Sequence, residues 1–425
     1  MRSCYCRSAY RGPSNDHAGL GTRSEPHPAC QGPRYGSRMK FNRSVDQHIA
    51  VFGESGSGKT VLVSSFYGAT QEPDFLSSSL FDVTADDTGQ GHRLHKNYLG
   101  MRDSARRPDT TRFSSTPYAF TVKLRDTGAK VSKQESFDAL RLVWHDYPGE
   151  WFEQDVSGPE EAERRIATFR SLLSSDVALL LVDGQRMLDN AGEEERYLRS
   201  LLASYRTGLL KLKGDLLEGG KPLVKFPRIW IIALSKADLL PEGDVFAFRD
   251  LIIEKASDDL TALRDVLAGF VRSPEALSAG EDFVMLSSAK FEPNRIQVAE
   301  RIGVDLILPL AAMLPFERHI KWVDRMHMPA KVAAELLDGL GPLAVALLGR
   351  TGKFGRVISL LAPLGFKGDE LNAAMRTAVK ATSDQLRSMN ADALAKRDYQ
   401  SATLSRFRLD LEAGEEKRVL LRSKR

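Results

Sequence analysis

From about residue 41 to residue 316, short apolar runs alternate with stretches in which apolar positions recur every three or four residues. Six of the runs have strand character: "HIAVFG" (48–53), "YAFTVKL" (118–124), "LRLVWHD" (140–146), "DVALLLVDG" (176–184), "RIWIIALSK" (228–236) and "DFVMLSS" (282–288). The last four are nearly continuous in apolar residues, as strands covered on both faces must be, and such strands belong to parallel sheets flanked by helices. The covering helices are supplied by "EEERYLRSLLASYRTGLLKL", before Gly214, and "DVFAFRDLIIEKASDDLTALRDVLAGF", from Asp244, where apolar residues keep helical spacing. The alternation predicts an α/β fold with a mainly parallel, Rossmann-like sheet.

Two regions break the alternation. Residues 71–117 are polar and rich in Gly, Ser and Thr, which predicts a long irregular connection of the kind that is usually functional or disordered. From residue 317 the pattern becomes wholly helical, predicting a C-terminal α-helical region over 317–425, apart from an α/β domain over 41–316. It ends in the basic segment "EEKRVLLRSKR", expected to be a solvated terminus, with contact to an acidic partner or lipid surface as the alternative. The stretch "GLGPLAVALLGRTGKFGRVISLLAPLG" (339–365) is the longest apolar run, and Gly, Pro and three basic residues interrupt it, so packed helices are expected rather than a membrane span. Membrane-surface attachment stays a minor alternative for the helices after Lys331. "GRTGKF" within the run imitates a phosphate loop but has Leu347 where Gly is required and Phe354 where Ser or Thr should follow.

Charge and cysteine content set off the first forty residues. They carry Arg2, Arg7, Arg11, Arg23, Arg34, Arg38 and Lys40 against Asp16 and Glu25, so they hold more than the whole formal charge of +4 and leave the remainder close to neutral. Nothing there asks for a nucleic-acid surface. Cys4, Cys6 and Cys30 all fall in this stretch, so the folded part has neither a disulfide framework nor paired zinc ligands, and a reducing, cytoplasmic setting is expected. Rich in Arg, Gly, Pro and Ser and lacking an apolar targeting segment, residues 1–40 are expected to be disordered, with Met39 a candidate true start and a Cys-x-Cys metal or redox tail the alternative.

The chemistry begins at "GESGSGKT" (53–60), between an apolar strand and a helical segment. A strand that turns abruptly into a helix leaves backbone N–H groups unpaired where the peptide dipoles favour negative charge. Gly53, Gly56 and Gly58 permit the loop conformation, and the amides from Gly53 through Ser57 to Val61 can face phosphate oxygens. Lys59 reaches the terminal phosphates and the Thr60 hydroxyl can ligate Mg²⁺. In "WHDYPGEW", Asp146 at a strand end can hold that Mg²⁺ through water, and Gly149 can present its amide to the γ-phosphate. In "SKAD", Asp238 can accept the paired N–H groups of guanine while the Lys236 stem covers the base; in "SSAK", with Ser288, Ala289 and Lys290, the Ala289 amide can meet the guanine carbonyl. His145 and Trp144, beside Asp146, are assigned no role.

The series "GESGSGKT", "DYPG", "SKAD", "SSAK" resembles that of P-loop GTPases of the translation-factor and Ras-like (TRAFAC) class, and "DYPGEW" after a long insertion resembles the bacterial double-GTPase (DO-GTPase) and YcjX-like families. The resemblance covers residues 41–316 and implies a Mg²⁺-dependent protein that binds GTP, hydrolyses it to GDP and works as a switch. Competing readings are a nucleotide-binding scaffold with negligible turnover and an ATP-using P-loop protein. Ser235 stands where the class has Asn or Thr, and Glu150 where many members carry the glutamine that orients water; a carboxylate there implies slow or partner-dependent hydrolysis. The switch threonine that completes the Mg²⁺ shell is one of Thr110, Thr111 and Thr116; spacing similar to the YcjX-like pattern favours Thr111, with Arg107 and Arg112 beside it as candidate arginines for the transition-state charge. Effector, activator and oligomeric state carry no signature.

Overall fold

The computed structural model describes residues 44–108, 117–124, 139–152, 156–223, 225–326, 330–337, 340–348, 379–395 and 397–424. The chain enters on strand β1 (Ser44–Phe52) and turns through residues 53–58 into helix α1 (Lys59–Ala69). Helix α2 (Pro73–Ser78), strand β2 (Phe81–Ala85) and helix α3 (Thr88–Ser104) follow, then strands β3 (Tyr118–Leu124) and β4 (Ala139–His145). Next come α4 (Pro159–Leu172), β5 (Val177–Asp183), α5 (Gly184–Asp189), α6 (Glu194–Leu216), β6 (Ile229–Ser235), α7 (Val245–Ala268) and β7 (Ser278–Leu286). A hairpin of β8 (Lys290–Glu292) and β9 (Arg295–Gln297) leads to α8 (Ile307–Arg325). Then come α9 (Ala330–Leu337), α10 (Gly341–Leu348), α11 (Ser383–Ala395), α12 (Tyr399–Glu416) and β10 (Leu420–Leu421).

Eight strands form one sheet in the order β10-β7-β6-β5-β1-β4-β3-β2. The pairs β7/β6, β6/β5, β5/β1 and β1/β4 are parallel, while β4/β3, β3/β2 and β7/β10 are antiparallel. The central strands show why the apolar runs are unbroken. Every residue of β5 and β6 is buried, and alternate side chains enter opposite layers. Val177, Leu179 and Leu181 join the core under α1 and α8; Ala178, Leu180 and Val182 join the core under α4, α6 and α7. Each fully buried Leu or Ile contributes about 1.5–3 kcal/mol, so a polar residue on either face would cost more than the strand could bear.

The region expected to be an irregular connection holds α2, β2 and α3 in its described part, up to residue 108. Helix α3 buries a narrow stripe, Gln90, Gly91, Leu94, Tyr98 and Met101, of which only the last three are apolar side chains, so its period is diluted in the sequence. The Asp87 carboxylate caps it by accepting a hydrogen bond from the Gln90 N–H at 2.8 Å. Tyr98 lies across Gly68 of α1, where a Cβ would stand 2.1 Å from the ring.

Residues 41–425 form one compact unit, and residue 316, the expected edge of the α/β domain, lies inside α8. The first ten residues of that helix (307–316) are apolar all round because the helix is buried against β1 and β5 on one side and α9 and α12 on the other. The basic terminus is an edge strand instead of the solvated tail expected. Leu420 and Leu421 pair with Val284 and Phe283 of β7. Arg422 binds Glu317 at 3.0 Å and Glu415 at 2.6 Å, and the Ser423 N–H donates to Asp282 at 2.8 Å. Asp282 is in turn buried in an ion pair with Arg318 at 2.6 Å. No described helix is long and apolar enough to cross a membrane.

Candidate functional site

The loop from Gly53 to Gly58 leaves the C-terminal end of β1, and the chain then takes β4 on one side and β5 on the other. Parallel sheets place ligand crevices at such a divergence. A cavity of about 370 Å³ opens there, of the size small-molecule sites have. Its lining includes Ser55 to Leu62, Asp146, Tyr147 and Gly149, Ser235, Lys236 and Asp238, and Ser287 and Ser288. Four segments spread over more than two hundred positions of the chain thus face one space.

The loop itself is tightly specified. Gly56 and Gly58 have φ of 82° and 90°, conformations that residues with a Cβ rarely adopt. Gly53 has no room for a side chain, since a Cβ would lie 2.4 Å from Ser57 Oγ. That Ser57 hydroxyl is buried without a partner among the described residues. Lys59 is buried, and its ammonium donates to the carbonyls of Gly53 at 2.7 Å and Glu54 at 3.1 Å, 5.3 Å from the centre of the Tyr147 ring. No acidic side chain occupies the first turn of α1, so its helix-terminal field is directed to the cavity uncompensated.

From β4 the chain delivers Asp146, Tyr147 and Gly149. Burial pushes the Asp146 carboxyl above the ordinary carboxylate range, although Lys59 and the Tyr147 N–H both favour its charge. A divalent cation would supply the missing compensation, so the donor set fits Mg²⁺ held by Thr60, Asp146 and phosphate oxygens. The Tyr147 hydroxyl accepts from the Gly53 N–H and donates to the Gly53 carbonyl, both at 3.2 Å, locking the two motifs together. Gly149 lies directly on the loop: a Cβ would be 2.3 Å from Ser55 N and 2.4 Å from the Glu54 carbonyl carbon. Glu150 is half-buried in the turn that follows and does not line the cavity.

The other end of the cavity is built by β6 and β7. Lys236, with φ of 54°, donates to the buried Asp183 carboxylate at 2.8 Å, which draws its stem across the opening. Ser235 Oγ donates to the Val182 carbonyl, tying β6 to β5. Asp238 accepts from Ser287 Oγ at 2.6 Å and from the Phe291 N–H at 3.3 Å, so "SKAD" and "SSAK" form one unit. Ser65 of α1 donates to the Ser288 carbonyl at 2.7 Å. Ala289 is fully buried beneath this unit, while Lys290 is exposed beside Glu292 and Glu300, outside the cavity lining.

Arg107, a candidate for the transition-state charge, lines the cavity with its guanidinium 5.5 Å from the centre of the Phe291 ring, beside Asp238. Thr110, Thr111, Thr116 and Arg112 lie outside the described residues. His145 stacks on His48, with Nε2 2.9 Å from His48 Nδ1, and reaches Ser171 Oγ through Nδ1 at 3.0 Å. Burial pushes it down to about 4, which keeps this pair neutral. Sequence reasoning passed over Tyr147, Asp183 and Arg186. Tyr147 stood inside a motif and Asp183 at a strand end, the two available signals; Arg186 had none.

Among curated proteins, the spermidine/putrescine import ATP-binding protein PotA of Legionella pneumophila (strain Paris) is 24% identical over 156 residues, 36% of this chain and 40% of that protein. The chain thus spans well under two thirds of that relative's length. Among solved structures, sup35 complexed with GDP has 11% identity and a TM-score of 0.23, covering 60% of this chain and 40% of that one. The Methanosarcina barkeri Roco2 RocCORdC structure bound to GDP has 12% identity and a TM-score of 0.21, covering 61% of this chain and 48% of that one. The family model described as Double-GTPase 2 matches residues 47–268, just over half of the chain, from within β1 to the end of α7, and with that match the chain belongs to the Double-GTPase 2 family.

Proposed function

We propose that this protein binds GTP with Mg²⁺, hydrolyses it to GDP and phosphate, and uses the change as a switch. The observation that carries the reading is the convergence of the four motifs on one cavity at the C-terminal ends of neighbouring parallel strands. The loop amides from Gly53 to Val61 hold the α- and β-phosphates, and Lys59 exchanges its loop carbonyls for phosphate oxygens, a stronger, charge-assisted pairing. Thr60, Asp146 and one of Thr110, Thr111 and Thr116, with Thr111 favoured, would hold the Mg²⁺, whose chemistry when bound is to neutralise charge on the β- and γ-phosphates. Gly149 offers its amide to the γ-phosphate from a position pressed on Glu54 and Ser55. Asp238 takes the guanine edge, with Ser288, Ala289 and Lys290 in the loop behind it and the Lys236 stem over the base. Arg107 sits beside that end, where its planar guanidinium can stack on the base.

In the reaction the oxygen of water bonds to the γ-phosphorus and the bond to the β–γ bridging oxygen breaks, GDP leaving with the electron pair. Both protons of the water leave on the phosphate, as dihydrogen phosphate. Glu150, half-buried outside the lining, favours a second reading in which the nucleotide is held with negligible turnover. A protein effector or activator is part of the switch reading; guanine nucleotide is the small-molecule partner.

The test is binding of GTP and ATP in competition, with single-turnover phosphate release, on the full chain and on Lys59→Ala. Selective GTP binding with Lys59-dependent phosphate release supports the reading. GTP binding without release leaves the scaffold; preference for ATP refutes the role given to Asp238.

A further inference from the structure

Just outside the lining at the phosphate end of the cavity stands a side chain that no motif announced. Gly149 abuts the loop at Glu54 and Ser55, so the space beside those two residues is where the γ-phosphate charge would grow. Arg186, on the short helix α5 that follows β5, reaches the same two residues. Its Nη1 is 3.0 Å from the Glu54 carboxylate and its Nη2 donates to the Ser55 carbonyl at 3.4 Å. The element that carries it is fixed rigidly. Asp183 caps α5 by accepting from the Gln185 N–H at 2.9 Å, and Gly184 is pressed on β6, where a Cβ would lie 2.7 Å from the Ser235 carbonyl oxygen. Gln185, the neighbouring residue, lines the cavity. The Arg186 side chain is 38% exposed, so the head has room to move while the backbone has none.

We propose that Arg186 is a catalytic arginine of this site, supplied by the chain itself, that binds the γ-phosphate oxygens as charge develops on them. The inference rests on the GTPase reading above. Glu54 acts as a positioning residue: a carboxylate on the loop holds the guanidinium at the rim, and the more highly charged phosphate draws one of its N–H groups inward. A planar guanidinium can serve both anions at once, which a lysine cannot. An arginine in this role leaves ground-state binding of GDP nearly untouched and acts on the transition state. It also differs from Arg107, which stands beside Asp238.

The experiment uses the full chain with Mg²⁺ and a fluorescent GDP analogue, with and without aluminium fluoride, which mimics the transferring phosphoryl group. Arg186→Ala is expected to bind GDP within about threefold of wild type, to lose the response to aluminium fluoride, and to slow single-turnover hydrolysis of GTP by about a thousandfold or more, the scale of arginine contributions to phosphoryl transfer. Arg186→Lys should restore only part of the response. An Arg186→Ala protein that keeps the response and rate overturns the assignment and leaves the GTPase reading standing. Parallel loss of GDP affinity, repaired by Arg186→Lys, overturns it in favour of a purely structural ion pair. If wild type binds no GDP, both readings fall together.

Discussion

Substituting Gly149 by alanine adds one methyl group to a place with no space for it. The new Cβ would lie 2.3 Å from Ser55 N, 2.4 Å from the Glu54 carbonyl carbon and 2.7 Å from the Glu54 oxygen. All three are backbone atoms, so no side-chain rotation relieves the contact. Reaching an ordinary separation of 3.4 Å requires the turn after β4 and the phosphate loop to part by about 1.1 Å. Overpacking of this kind costs about 1–3 kcal/mol of stability. The larger effect is geometric. A displacement near 1 Å of a group that aligns the reacting atoms can cost about a hundredfold in rate, and this one moves the Gly149 amide away from the γ-phosphate. GDP affinity should fall much less, because the contacts proposed for the β-phosphate, the loop amides and Lys59, do not come from the turn after β4. Single-turnover GTP hydrolysis and GDP titration measure the two effects, with a urea melt as the control for folding. A Gly149→Ala protein that hydrolyses within twofold of wild type would show that the two backbones slide apart freely, and would refute the rigid-contact argument.

Two further outcomes follow from the buried ionic groups. Arg318→Leu leaves the Asp282 carboxylate, itself wholly buried, with Ser278 Oγ and the Ser423 N–H as its remaining partners among the described residues, and should lower the unfolding free energy by about 3–5 kcal/mol in a urea titration. A loss under 1 kcal/mol would mean that water or another cation reaches the site. His319 is pushed down to about 4, first by burial and then by the charge of Arg228. Between pH 6.5 and 4 the unfolded chain therefore binds a proton that the folded chain does not, so stability falls as pH drops through that window. His319→Gln should reduce the slope of urea midpoint against pH while His145, also pushed down to about 4, keeps part of it. An unchanged slope would contradict the burial of His319.

Much of the site was legible because backbone geometry dictates its residue types. Positive φ at Gly56 and Gly58 and the lack of space at Gly53 and Gly149 admit only glycine, so those requirements surface as letters at fixed spacing. Asp146, Asp238 and Ser288 were legible for a related reason: a strand that runs into a cavity delivers its next residues there. The unbroken apolar runs of β5 and β6 likewise announced strands buried on both faces. Helix α3 and strand β2 were obscured because each buries few residues, and propensity is a weak signal where one narrow stripe meets the core. The C-terminal tail read as solvated since its arginines are partnered by acids of distant elements, Glu317 and Asp244, as well as by the nearby Glu415.

By itself, then, the sequence determined the α/β alternation, the phosphate loop and the order of the motifs, because local periodicity and local backbone constraint are properties of contiguous residues. Only the tertiary structure decided which charges meet. Arg186 faces Glu54 across 132 positions of chain, Lys236 faces Asp183 across 53, and Arg107 stands over Phe291. Such pairings depend on sheet order and helix placement, and an ion pair imposes no spacing on the chain that connects its members.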